Sequence, residues 1–309
     1  MAKYGRAYTH AAEKLHRQDV FAANARHVDA VNRAGNRTYT LGLNQFSDLT
    51  DEEFVEKHLG YRHQLRPEGN TPVAAVNMSK AQFQSTPDSV DWRAQGAVTQ
   101  IKDQNPCSCC WAFAAVAATE GLVQIATGNL ISMSEQQVLD CTVGPSGPSN
   151  CDSGYVNDAL SYIAQSGGLL QQEAAYAYIG QQGTCRGGDV SPNSAAAVGA
   201  PRMVSLNGDE GALQELVASQ PVAVGVEADS DFKQYMSGVY TGSSSCGQNL
   251  NHAVTVVGYG TDGGGQDYWL VKNQWGTGWG EAGYMRLTRG NGGNCGMATY
   301  AYYPTMDSS

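Results

Sequence analysis

The stretch Gln104-Asn-Pro-Cys107-Ser-Cys109-Cys110-Trp-Ala-Phe113 decides how the rest of the chain is read. It runs into an Ala-rich, Pro-free segment that Gly128 closes, so a long helix is expected from Cys110 to Thr127. Hydrophobicity on every side marks that helix as buried. A helix N-terminus offers unpaired N–H groups and partial positive charge, which favour a thiolate. Cys110 therefore reads as a nucleophile or as a buried structural cysteine, and this stretch alone does not separate the two. A metal set of Cys107, Cys109, Cys110 and His252 is a third reading, although Cys-x-Cys-Cys is not an ordinary zinc spacing.

Outward from this stretch, the composition divides the chain. Residues 1–85 hold 11 Lys+Arg and 9 Asp+Glu, whereas residues 86–309 hold 8 and 20. All eight cysteines lie in the second part and five of the six histidines in the first, leaving His252 as the sole later histidine. Two pieces are expected, the first over 1–85 and the second over 86–309, and charge alone does not separate two different roles from two ordinary domains of different composition. With 41% apolar residues and 16 Tyr, the chain has the material for a packed core. A net charge of -10 argues against nucleic acid as a partner. The longest apolar run, Trp111 to Ala118, is too short to span a membrane.

The first piece reads as a helix from Thr9 to Asn32 with Leu15, Phe21, Val28 and Val31 at near-helical intervals, stopped by Gly35. A short strand over Thr38–Leu43 follows, then a capping box, Thr50-x-x-Glu53, opening a second helix. Residues 60–85 carry no period and read as an extended linker. Beyond Cys110–Thr127, helices are expected after Ser134 and over Tyr155–Gln165. Strands are expected at Pro221–Val226, Ala253–Tyr259, Tyr268–Lys272 and Tyr284–Leu287, with Gly263–Gly265 as a hairpin loop. Helices first and strands second imply an α+β fold with two lobes, about 95–195 and 196–300.

A cysteine nucleophile needs an imidazole to hold its thiolate and later protonate the leaving amine. His252, 142 residues after Cys110, opens a β-rich run; Asn273, 21 residues further on, ends another strand. A neutral amide oxygen there can orient the imidazole without adding charge. These later residues favour the nucleophile reading of Cys110.

The same residues carry a family resemblance. The Gln104–Phe113 stretch resembles the papain-family nucleophile motif, Asn251-His252-Ala253-Val254 its histidine motif, and Lys272-Asn273-Gln274-Trp275-Gly276-Thr-Gly-Trp-Gly280 its asparagine–tryptophan motif. Pro87-Asp-Ser-Val-Asp-Trp-Arg93 resembles the start of a mature enzyme. In the first piece Glu13, Arg17, Phe21, Asn24, Val28 and Asn32 match the interspersed helix pattern of a cathepsin L-like inhibitory propeptide. Gly42, Asn44, Phe46 and Asp48 match its second motif. The Cys109-Cys110 pair resembles the plant senescence-associated branch. Met1 is expected to fall inside the propeptide's first helix, with the natural start trimmed.

The resemblance implies the zymogen of a cysteine endopeptidase: a helical propeptide, a helical lobe and an antiparallel, barrel-like lobe, with no cofactor and no metal. It assigns Cys110 as nucleophile, His252 as acid/base, Asn273 as its orienter shielded by Trp275, and Gln104 as oxyanion donor. It pairs Cys107 with Cys151, Cys141 with Cys185 and Cys246 with Cys295. Gly154 would bind substrate backbone. Tyr155, Gly225, Leu250, Ala253 and Tyr300 would line the pocket for the residue two before the scissile bond. With Tyr300 shortening that pocket, Leu, Val or Pro would be preferred to Phe there. Peptide substrates, the propeptide itself and cystatin-like inhibitors are the implied partners of a monomer in the secretory pathway, vacuolar, lysosomal or extracellular. Asn36-Arg-Thr38 and Asn77-Met-Ser79, both N-glycosylation patterns, agree with that route. Departures from the family pattern at Asn105-Pro106, Ser108, Asp152-Ser153 and Gln274 concern the shape of the cleft. A catalytically inactive binding or storage relative and a redox or metal-binding protein using Cys109-Cys110 are the rival classes.

Overall fold

Local chemistry sets the first boundaries. Gly35 ends α1 (Ala11–Ala34) in the left-handed region, at φ 66°. β1 (Tyr39–Leu41) follows, and then α2 (Asp51–His58), opened by a full capping box between Thr50 and Glu53. After β2 (Val90–Asp91) comes α3 (Cys110–Thr127), closed by Gly128 at φ 76°. The Ser134 hydroxyl caps α4 (Glu135–Cys141) by accepting the Gln137 N–H. A two-residue ribbon, β3 (Val143–Gly144) and β4 (Gly147–Pro148), leads to α5 (Val156–Gln165). The β-rich half contains β5 (Arg202–Ser205), α6 (Glu210–Ser219), β6 (Val222–Val226), α7 (Ser230–Lys233), β7 (Tyr235–Tyr240), β8 (His252–Thr261), β9 (Asp267–Lys272), β10 (Tyr284–Thr288) and β11 (Tyr300–Tyr303). The computed structural model describes residues 6–63, 86–144, 147–168, 170–186, 198–242, 246–247, 249–290 and 295–306. Most of the expected linker, and Asn77, fall outside these.

The fold is α+β, with a helical lobe and a β-rich lobe. The main sheet runs β1-β7-β10-β9-β8-β6-β11-β5, with β2 against β8. The barrel-like lobe was expected to be antiparallel; β10 and β7 form a parallel pair within it. β8 is the wall between two cores. Alternate residues of a strand face opposite ways: Val254 and Val256 join the β-lobe core, while Ala253 joins the core around α3. Burial on both faces explains why β8 reads as a continuous apolar run. By length and composition α3 could cross a membrane, but 72% of it is buried in the structure, as for a core helix.

The N-terminal piece joins the β-lobe. β1 extends the sheet at the edge of β7, with Tyr39 opposite Gly238. Phe46, Phe54 and Leu59 share one core with Phe232, Trp275 and Trp279. Polar side chains of α1 hold the chain that follows it. Arg17 pairs with Glu53 at 2.5 Å, and Asn24 donates to Ser47 O and Leu49 O at 2.8 and 3.1 Å. Asn32 both donates to and accepts from the Leu41 backbone, each at 2.9 Å. Asn44 donates to Lys233 O at 2.8 Å, and buried Asp48 accepts the Tyr8 hydroxyl. Leu15, expected on an apolar face, is instead 63% exposed, whereas Val28 is buried.

Disulfides join Cys107 to Cys151 and Cys141 to Cys185 in the helical lobe, and Cys246 to Cys295 in the β-lobe. Cys109 and Cys110 are free and buried. The bridge at Cys107 removes it from the candidate metal set.

Candidate active site

Cys110 is the first residue of α3, at the seam between the lobes, where the Ala253 N–H of β8 points toward its thiol. His252 opens β8, and Asn273 follows the last residue of its antiparallel partner β9. The pairing brings His252 Nε2 to 2.9 Å from Asn273 Oδ1. That oxygen also accepts the Gln274 N–H at 2.9 Å, which fixes it as an acceptor. His252 Nε2 therefore carries the proton, and Nδ1 has no hydrogen-bond partner among the described residues. Trp275 stacks on the imidazole with centroids 4.5 Å apart and planes 24° apart. Gln274 Nε2 donates to Ala253 O at 2.8 Å, tying the two motifs together.

The Gln104 side chain is fully buried beside the start of α3. Its Nε2 donates to Cys107 O at 2.9 Å and to His58 O at 3.2 Å. A carbonyl from the N-terminal piece is thus held by the amide expected to hold a substrate oxyanion. The following residues cross the cleft in extended form. Gly154 N–H donates to Gly60 O at 2.9 Å, Arg62 N–H to Gly154 O at 2.9 Å, and Tyr61 N–H to Asn251 O at 3.1 Å. Tyr61 pairs with Gly154 in the parallel sense. The Tyr61 side chain is buried in the cluster of Cys110, Ala253 and Tyr302, with Leu250 and Tyr300 packed against it. A Cβ on Gly225 would lie 2.6 Å from the Tyr61 ring.

The pocket differs from the expectation at its closed end. Tyr302, not Tyr300, meets the tip of Tyr61, hydroxyl to hydroxyl at 2.8 Å; Tyr300 stacks on His63, with centroids 5.9 Å apart. A pocket that encloses a whole tyrosine is not one that a shortened wall closes to aromatic groups. Tyr155 stands immediately before α5, half-buried.

Burial under this crossing segment sets the charge state. It pushes the Cys110 thiol up to about 11, against the pull of the Ala253 and Gly60 N–H groups. Burial also pushes His252 down to about 3, and the bond to Asn273 only partly offsets this. Thiol and imidazole are both neutral while the segment is in place.

Comparison with known proteins follows the same division of the chain. Residues 86–305 match the papain family cysteine protease model, and residues 1–54 the cathepsin propeptide inhibitor domain. The chain belongs to the papain family of cysteine proteases. It is similar to fruit bromelain of Ananas comosus, at 42% identity over all of this chain and 85% of the relative. A senescence-specific cysteine protease of Arabidopsis thaliana is also 42% identical, over 99% of this chain and 88% of that one. Among solved structures, a recombinant stem bromelain precursor aligns at TM-score 0.85 and 38% identity, covering 100% of this chain and 97% of the other. A digestive procathepsin L of Tenebrio molitor aligns at TM-score 0.84 and 36% identity, covering 98% and 96%.

As a papain-family cysteine protease, the chain carries its own inhibitory propeptide and is a zymogen. The sequence reading did not single out His58, Gly60, Tyr61 or Tyr302 at the cleft. The one local signal was Gly60-Tyr61, a small residue beside a large aromatic at the start of a run with no period.

Proposed function

We propose that Cys110 is the nucleophile of a peptide-bond hydrolase, His252 its acid and base, Asn273 the residue that orients His252, and Gln104 an oxyanion donor. One observation carries this reading: the oriented imidazole, bonded to Asn273 and stacked under Trp275, at the head of the helix that begins with Cys110. With the cleft open, the ion pair regains solvent and the helix N-terminus favours the thiolate. Cys110 Sγ attacks the scissile carbonyl carbon, and the negative oxygen is received by Gln104 Nε2 and the Cys110 N–H. His252 gives its proton to the departing amine as the C–N bond breaks, leaving a thioester. Water, losing a proton to His252, then attacks the thioester; the acid departs and the thiol is restored. Gly154 holds substrate backbone, as it holds residues 60 and 62 here.

In this reading residues 1–85 are the inhibitory propeptide and 86–309 the mature enzyme, released near Thr86 in acid. Gly60 and Tyr61 run through the cleft opposite to a substrate, so no peptide bond is presented correctly for cleavage. Three disulfides suit an oxidising compartment, which supports the secretory route to vacuole, lysosome or cell exterior. Cystatin-like inhibitors are the expected outside partners of a monomeric enzyme. The test is acid treatment of the full chain, followed by labelling with a thiol-directed protease inactivator and assay on a peptide library. Cys110→Ala and His252→Ala should each remove turnover by several orders of magnitude, far from additively. Near-full activity in His252→Ala would refute the mechanism.

A further inference from the structure

We propose that Tyr302 is a specificity-determining residue that selects a phenolic hydroxyl, so that the processed enzyme prefers Tyr to Phe at the substrate position two before the scissile bond. The inference rests on the catalytic reading above and deepens it.

Gly60 lies over the thiol, and Tyr61, its neighbour, fills the adjoining pocket. A substrate whose carbonyl carbon meets Cys110 therefore sends a neighbouring side chain into the space that Tyr61 occupies. The walls are apolar, formed by Ala253 and Leu250 with the bare backbone of Gly225. Lack of a side chain at Gly225 is what admits the ring. The far end is polar: Tyr302, 2% exposed, offers its hydroxyl to Tyr61, 6% exposed, at 2.8 Å. Among the described residues, Tyr61 is the hydrogen-bond partner of that hydroxyl. A buried hydroxyl without a partner loses its hydration and gains nothing in return. Phe in this pocket would match the walls and leave the Tyr302 hydroxyl unpaired, whereas Tyr matches both. Sites built around a hydroxyl reject the analogue lacking it more strongly than apolar pockets reject a methylene. The same bond serves latency, because the propeptide fills the pocket with the side chain that the pocket selects.

The experiment uses full-length chain processed in acid, with active sites titrated by a thiol-directed inactivator. Two peptides identical except for Tyr or Phe at this position are compared by kcat/KM. The wild type should favour Tyr by about tenfold, and Tyr302→Phe should bring the ratio to about one or below. A wild-type ratio at or below one overturns the inference without need of the variant, as does an unchanged ratio in Tyr302→Phe. In the unprocessed chain Tyr61→Phe and Tyr302→Phe should each raise activity at neutral pH, and the double variant should be no leakier than either. Full additivity would count against a shared bond. A processed protein that takes no label at Cys110 overturns the catalytic reading and this inference together. A labelled enzyme with a flat Tyr/Phe ratio overturns this inference alone.

Discussion

At the scale of single residues, Gly60 shows how latency is enforced. A Cβ at this position would lie 1.7 Å from Ser108 O, so any side chain must lift the segment from the cleft floor. Gly60→Ala should therefore give a full-length chain that hydrolyses peptides at pH 7 before any processing. Latency equal to wild type in that assay would show that the contact is not limiting. Gln104 donates to the His58 carbonyl at 3.2 Å, with the same amide that the proposed mechanism gives to the substrate oxyanion. Gln104→Ala should lower kcat of the processed enzyme by roughly 10²-fold, as one donor of two. Kinetics unchanged from wild type would remove it from the oxyanion site. Cys110, His252, Asn273 and Gln104, the proposed catalytic set, stand out in the sequence because cysteine acyl transfer calls for those residue types, and each stands within a distinctive local motif. Tyr302 was not legible. Its meaning depends on a hydroxyl 241 positions away, across a pocket that only the folded chain forms.

At the scale of elements, legibility followed local chemistry. Helices with a hydroxyl cap or a terminal glycine, such as α2, α3 and α4, declared their ends. β7 did not, since its Tyr-Met-Ser-Gly-Val-Tyr run is broken by Gly238 at φ 92° and draws its pairing from β1 and β10. β5 and β11 pair with each other across about a hundred residues, and four-residue strands give too short a period to read. Between α3 and α4 lies a buried charge cluster that composition could not reveal. Lys102 Nζ reaches Glu120 at 3.0 Å, Glu135 at 2.7 Å and Met133 O at 2.9 Å. Burial pushes the Glu135 carboxyl up, against the pull of Lys102. Removing the cation takes the ion pair from both buried carboxyl groups, and among the described residues Glu120 alone keeps further donors, the Thr99 hydroxyl and the Met133 N–H. Lys102→Met should destabilise the protein by roughly 3–5 kcal/mol in denaturant unfolding. A loss under 1 kcal/mol would mean that the carboxyl groups find other partners or take up protons without cost.

For the whole molecule, the proposed acid activation requires low pH to open a zymogen whose two pieces attract. The propeptide carries +2 against -12 for the rest, so docking is favoured at neutral pH. Of its five histidines, His58 is the buried one, packed against Phe46 and Phe54. Burial lowers its pKa from 6.5 to about 4; Arg6 and Lys57 push the same way, and Asn105 opposes them. When the segment is released His58 titrates near its ordinary value, so between these limits the released state binds more protons. Docking is thus at full strength above pH 6.5 and weakens as pH falls toward 4, by about 3 kcal/mol. Glu53 behaves differently: its bond to Arg17 lowers it to about 2, so that pair persists until pH falls from about 4.5 toward 2. The cleft-crossing segment should let go while the α1–α2 clamp is still intact. His58→Leu, which keeps an apolar group but cannot take a proton, should move the midpoint of acid maturation downward by about one pH unit. In the full-length Cys110→Ala variant, hydrogen exchange at pH 5 should speed up at residues 58–63 before residues 11–34. Simultaneous opening of both, with a His58→Leu midpoint equal to wild type, would place the acid trigger elsewhere.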